Sequence, residues 1–150
     1  MRTSIFSAFV VLGLASCATP NPGGAGTSGI SPYAPILEER RRLALYMDHS
    51  GAPVRRINYT TPVGWSRIDG WHFSLDLRPG ERWLVTLSGP CLNWDHGAQT
   101  LDLEPLNGIM LSRFDKVKVG GENFVCRIQD IRPVDLEALR AAERALRGRL

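Results

Sequence analysis

The chain lacks the short motifs that announce most chemistry. No HExxH or CxxC spacing marks a zinc site, and no G-x-S-x-G marks a nucleophile elbow. Gly120-Gly121 is not followed by the lysine and helix that a phosphate-cradling loop needs. Paired carboxylates are missing too: Glu81, Glu104 and Glu122 are each isolated at expected turns. Charge of one sign is scarce, with a net charge of only +3 at pH 7. The arginines are interleaved with Asp and Glu, which excludes a nucleic-acid footprint. No apolar run approaches the roughly 20 residues that a spanning helix requires. Cysteine is rare as well, with three in the chain: Cys17, Cys91 and Cys126.

What is present begins at the N-terminus. Met1 and Arg2 give a positive start, and Ile5 to Leu14 is almost wholly apolar. Ten residues of helix rise about 15 Å, half a bilayer core, so the segment reads as a signal peptide. Its end, Leu14-Ala15-Ser16-Cys17, resembles the lipobox of bacterial lipoproteins. The resemblance implies cleavage before Cys17, which then carries lipid. Ala18, rather than aspartate, follows it and points by the same resemblance to the outer membrane, facing the periplasm. Ser16-Cys17-Ala18 also fits ordinary cleavage, which would release a soluble periplasmic protein. Residues 18–32 are rich in Gly, Pro, Ser and Thr and have no apolar period, so they read as a tether. The expected organisation is a signal peptide over 1–16, a lipidated cysteine and linker over 17–32, and one globular domain over 33–150.

With Cys17 assigned to lipid, Cys91 and Cys126 remain as a pair in an oxidising compartment, which reads as a disulfide. Within the domain, Pro35 to His49 predicts a short helix with Ile36, Leu43 and Met47 on one face. Trp71 to Leu77 alternates cleanly, with Phe73, Leu75 and Leu77 opposite His72, Ser74 and Asp76. Arg78-Pro79-Gly80-Glu81 turns the chain into Arg82 to Ser88, whose apolar residues lie on both faces and predict a central strand. Further short strands are expected over Val54–Thr60, Thr100–Leu103, Gly108–Arg113, Lys116–Val119 and Asn123–Ile131. A helix opened by Pro133 or Asp135 closes the chain, with a stripe of Leu136, Leu139, Leu146 and Leu150. The fold class is mainly β (α+β): a curled antiparallel sheet or small β-barrel with a C-terminal and a short N-terminal helix.

The order of landmarks resembles a proteobacterial family of small exported domains of unknown function. They are Pro53-Val54-Arg55-Arg56-Ile57, Trp65, Trp71, Trp83-Leu84-Val85-Thr86-Leu87, Gly89-Pro90-Cys91, Phe114-Asp115-Lys116-Val117, Cys126-Arg127-Ile128 and Ile131-Arg132-Pro133-Val134-Asp135. The resemblance covers roughly residues 43–137 and implies export and a paired cysteine framework. It implies no activity.

Two constellations remain. His72 and Asp76 on one strand face, with Asp95 and His96 in a loop, would make a metal-binding or enzymatic site if the loop folded over that face. Trp65 and Trp94 are expected in loops, where aromatics form a binding surface for a protein or glycan partner or else cap a barrel end. The residues favour a lipid-anchored, non-catalytic interaction or structural module, with no cofactor and no nucleic-acid partner. A periplasmic metal protein or enzyme is the alternative.

Overall fold

In the computed structural model the described residues are 33–92, 100–105, 107–119 and 125–148. All of them lie in one unit, Ser31–Leu150. The elements in chain order are α1 (Ala34–Asp48), β1 (Arg56–Asn58), β2 (Gly64–Arg67), β3 (His72–Arg78), β4 (Glu81–Leu87), β5 (Leu101–Glu104), β6 (Met110–Ser112), β7 (Lys116–Val119), β8 (Val125–Val134) and α2 (Leu136–Arg147). Six strands form a curled antiparallel half-barrel in the order β2-β3-β4-β8-β7-β5, and β1 pairs with β6 as a separate ribbon. The expected class, a mainly β curled sheet with a helix at each end, is the one observed.

Local chemistry sets the first hairpin. Arg78 pairs with Glu81 across Pro79 and Gly80. Gly80 has φ +82°, a left-handed conformation that a Cβ resists, so glycine is the residue for that place. At the other end, Asp135 caps α2 by accepting a hydrogen bond from the Ala138 amide at 3.0 Å. Pro133 belongs to β8 instead, opposite Trp83.

The sheet is buried on both faces. Phe73, Leu75, Leu77, Val85, Leu87, Val117 and Ile128 fill the inner face, joined by Ile57 and Leu111 from the β1–β6 ribbon. Leu84 and Val134 point outward and meet Ile68, Tyr46 of α1 and Leu139 of α2. This two-sided burial explains why β4 is apolar on both faces. It also explains why Ser74, on the polar side of β3, is only 1 % exposed.

α1 docks differently from the expected face. Ile36 and Met47 are exposed, while Tyr46 is buried. Leu43 of the expected face packs against the outer cluster together with Leu45, and polar contacts add to them. Arg67 Nη1 donates to Glu39 Oε1 at 2.7 Å, and its Nε donates to the Leu92 carbonyl at 2.5 Å. Arg82 forks onto Asp76, with Nε to Oδ1 at 2.7 Å and Nη2 to Oδ2 at 2.8 Å. Its third nitrogen, Nη1, donates to the Tyr46 hydroxyl at 3.1 Å. The hydrogen bond to Asp76 pushes the Arg82 guanidinium pKa up, so the clamp is charged at any working pH. Arg82→Met should break the fork, leave Asp76 alone and release Tyr46. The expected loss is about 2 kcal/mol, discounted because the pair is partly solvated, and a urea melt reads it.

Candidate functional site

The helices cover only part of the outer face. Beyond Leu84 the sheet is open, and there three strands place polar side chains in a row. His72 on β3 stands opposite Thr86 on β4, and Thr86 stands opposite Asp130 on β8. The groove over this row has a volume of about 470 Å³; Met47, Pro53, Arg113 and Arg132 complete its walls with Gln129.

Each wall is fixed by local structure. Asp69 precedes β3, and its Oδ1 accepts from the amides of Trp71 at 2.7 Å and His72 at 2.8 Å. The same carboxylate meets His72 Nδ1 at 2.8 Å and 2.9 Å. An ionised carboxylate can only accept, so Nδ1 carries a proton. On β8 the register with β4 shifts between Thr86↔Asp130 and Leu87↔Ile128, which leaves Gln129 as an extra residue. A bulge of this kind re-aims side chains and frees a carbonyl from the ladder. Arg113 Nε donates to that Gln129 carbonyl at 2.9 Å. The Arg113 guanidinium carbon also lies 5.7 Å from the Phe114 ring centroid, within cation–π range. Phe114 has φ +80°, a strained conformation for a side chain of its size, and the residue is exposed. Its amide donates to the Ile128 carbonyl at 2.7 Å, and the next residue, Asp115, is buried and accepts from the Ser112 amide at 2.7 Å. These bonds hold the strained turn in place. Finally, Arg132 Nε donates to Asp130 Oδ2 at 2.9 Å, so this pair is internally neutral.

The residues singled out in the sequence are distributed otherwise. His72 and Asp76 do share a face, but they serve different partners, Asp69 and Arg82. Asp95 and His96 lie outside the described residues, as do Cys17 and Trp94. Among the described residues no group of three or more His, Cys, Asp or Glu is placed to hold a metal. Trp65 is not a loop residue. It lies in β2 opposite Leu75, and its ring meets Phe73 edge-on with centroids 6.4 Å apart. Val63 also bonds the Asp76 carbonyl, so the Pro62-Val63-Gly64 run leads into an edge strand instead of a loop. Cys91 and Cys126 come together with sulfurs in bonding contact and Cα atoms 6.4 Å apart, inside the range a disulfide spans.

Arg113, Asp130 and Arg132 were not singled out by sequence reasoning. The Asp69-Gly70 turn before a strand was the one available signal, since such an aspartate bonds amides two and three residues on. No curated protein and no solved structure matches the chain. A family model does match, over residues 1–149, and its description is a family of unknown function (DUF6491).

Proposed function

The chain belongs to the DUF6491 family, a family of unknown function, and we propose that it is a lipid-anchored, non-catalytic binding module of the bacterial cell envelope. The observation that carries this reading is the division of the cysteines. The two in the domain meet at 6.4 Å between Cα atoms, and each is nearly buried. The third closes the lipobox-like Leu14-Ala15-Ser16-Cys17. A disulfide persists in an oxidising compartment, and the leader supplies the route there. Residues 18–32 are rich in Gly, Pro, Ser and Thr, a composition suited to a tether between anchor and domain. Ala18 in place of aspartate supports outer-membrane attachment, by resemblance to lipoprotein sorting signals.

The non-catalytic part rests on how polar groups are used. Asp76, Arg82, Arg67 and Glu39 brace α1 against the sheet, and Asp69 locks a turn. Groups so engaged are poorly placed to change protonation or ligand during a reaction.

Mass spectrometry of the mature N-terminus tests the anchor. A cysteine bearing diacylglycerol plus an amide-linked chain is expected, which exceeds the two-signal threshold for stable membrane attachment. Cys17→Ala should release the domain from membranes or stall processing. An unacylated mature N-terminus beyond Cys17 would overturn the reading.

A further inference from the structure

We infer that the groove beside His72 is a binding site for an acidic glycan, taking one sugar carboxylate and its neighbouring hydroxyls. The inference rests on the reading of the protein as an exported binding module and names the ligand class of its site.

Charge selects the anion. Arg132 is paired with Asp130, and His72 Nδ1 donates to Asp69. Arg113 spends Nε on the Gln129 carbonyl, which leaves two forked terminal nitrogens for a ligand. No carboxylate among the described residues pairs with this guanidinium, which suits it to a monoanion. A fork of that shape pairs with a planar carboxylate through two parallel bonds. Metal ions are poorly served: among the described residues no group of three or more His, Cys, Asp or Glu is placed to hold one.

The remaining groups ask for hydroxyls. Asp130 Oδ1 accepts, while the Thr86 hydroxyl, standing between Asp130 and His72 in the row, both donates and accepts. A sugar hydroxyl also does both, so a vicinal pair can satisfy this row. Met47 and Pro53 give the groove an apolar wall suited to the C–H face of a pyranose ring. The bulge at Gln129 and the left-handed Phe114 serve one end: they aim the Arg113 guanidinium. Strain held in place by several bonds is expected where a side chain must be pre-positioned.

Calorimetric titration of the mature full chain tests the site. Oligogalacturonate and N-acetylmuramyl glycan fragments are the acidic probes; chito-oligomers and inorganic phosphate are the contrasting ones. Saturable binding of an acidic probe is expected, and which of the two binds identifies the source of the carboxylate. Arg113→Gln and Thr86→Val should each weaken it, the former by about tenfold or more, with unchanged melting. The assignment is overturned if neither acidic probe binds saturably, if chito-oligomers or phosphate bind as well, or if Arg113→Gln titrates like the parent. Acylation of Cys17 is scored separately on the same preparation, so failure of the anchor and failure of the site are told apart.

Discussion

Leu139→Asp is expected to unfold the domain at temperatures where the parent is native. Leu139 is fully buried on α2 and packs in the cluster of Tyr46, Ile68, Leu84 and Val134. An aspartate there loses about 2 kcal/mol of apolar burial. It also places a carboxylate among apolar side chains with nothing to pair it, and the two effects together should exceed about 4 kcal/mol. For a domain of ordinary stability, about 5–15 kcal/mol, that is a large share. Arg140→Asp, one residue on and exposed, is the control and should shift stability by less than about 1 kcal/mol. Equal melting temperatures for Leu139→Asp and parent would show that α2 is not docked in solution.

Breaking the Cys91–Cys126 pair should have an effect of similar size by a different route. The two residues are 35 apart in sequence, and closing a loop of about that length restricts the unfolded chain by about 4 kcal/mol in the entropy model. Cys126→Ala, or reduction of the parent under native conditions, should therefore lower the melting temperature by on the order of 15 °C. The sulfurs sit in the inner core beside Leu92 and Ile128, so the alanine variant also leaves a small void. A reductant should shift the parent and leave Cys91→Ala/Cys126→Ala unmoved. Recovery of both residues as free, alkylatable thiols from protein exported to the periplasm would defeat the proposal.

Much of the sheet was legible because its signals are local. The alternation of Phe73, Leu75 and Leu77, the Pro79-Gly80 turn and the two-sided β4 all depend on near neighbours in sequence. The leucine stripe of α2 is legible for the same reason, and its Leu139 is the residue the core takes. What escaped depends on contacts distant in sequence. α1 turns Tyr46 inward because Arg82, far along the chain, holds its hydroxyl. Its Glu39 is drawn in by Arg67, and an ion pair leaves no trace in an apolar period. Trp65 looked like a loop residue because Pro and Gly precede it, yet β3 offers that stretch a ladder. The groove was illegible as a unit, since its walls come from α1, the stretch at Pro53, three strands and the turn at Arg113, and no single segment encodes their register. His72 could be seen on a polar face, but its partner was mistaken. Asp76 shares its strand face, whereas Asp69 reaches it from the preceding turn.

The position of β8 has a consequence for how the protein is made. It is the last strand in the chain, yet it lies between β4 and β7 in the sheet. A chain that emerges N-terminus first can build the β2-β3-β4 meander as soon as those residues are free. The β5–β7 pair then has nothing to join it to that meander until residue 134 is out. Cys126 rides on β8, so the Cys91 thiol waits for its partner over the same interval. α2 follows directly, so the outer cluster also closes only when the last residues emerge. The half-finished sheet offers its inner face and the unpaired edge of β4, which is the state a chaperone would have to shield.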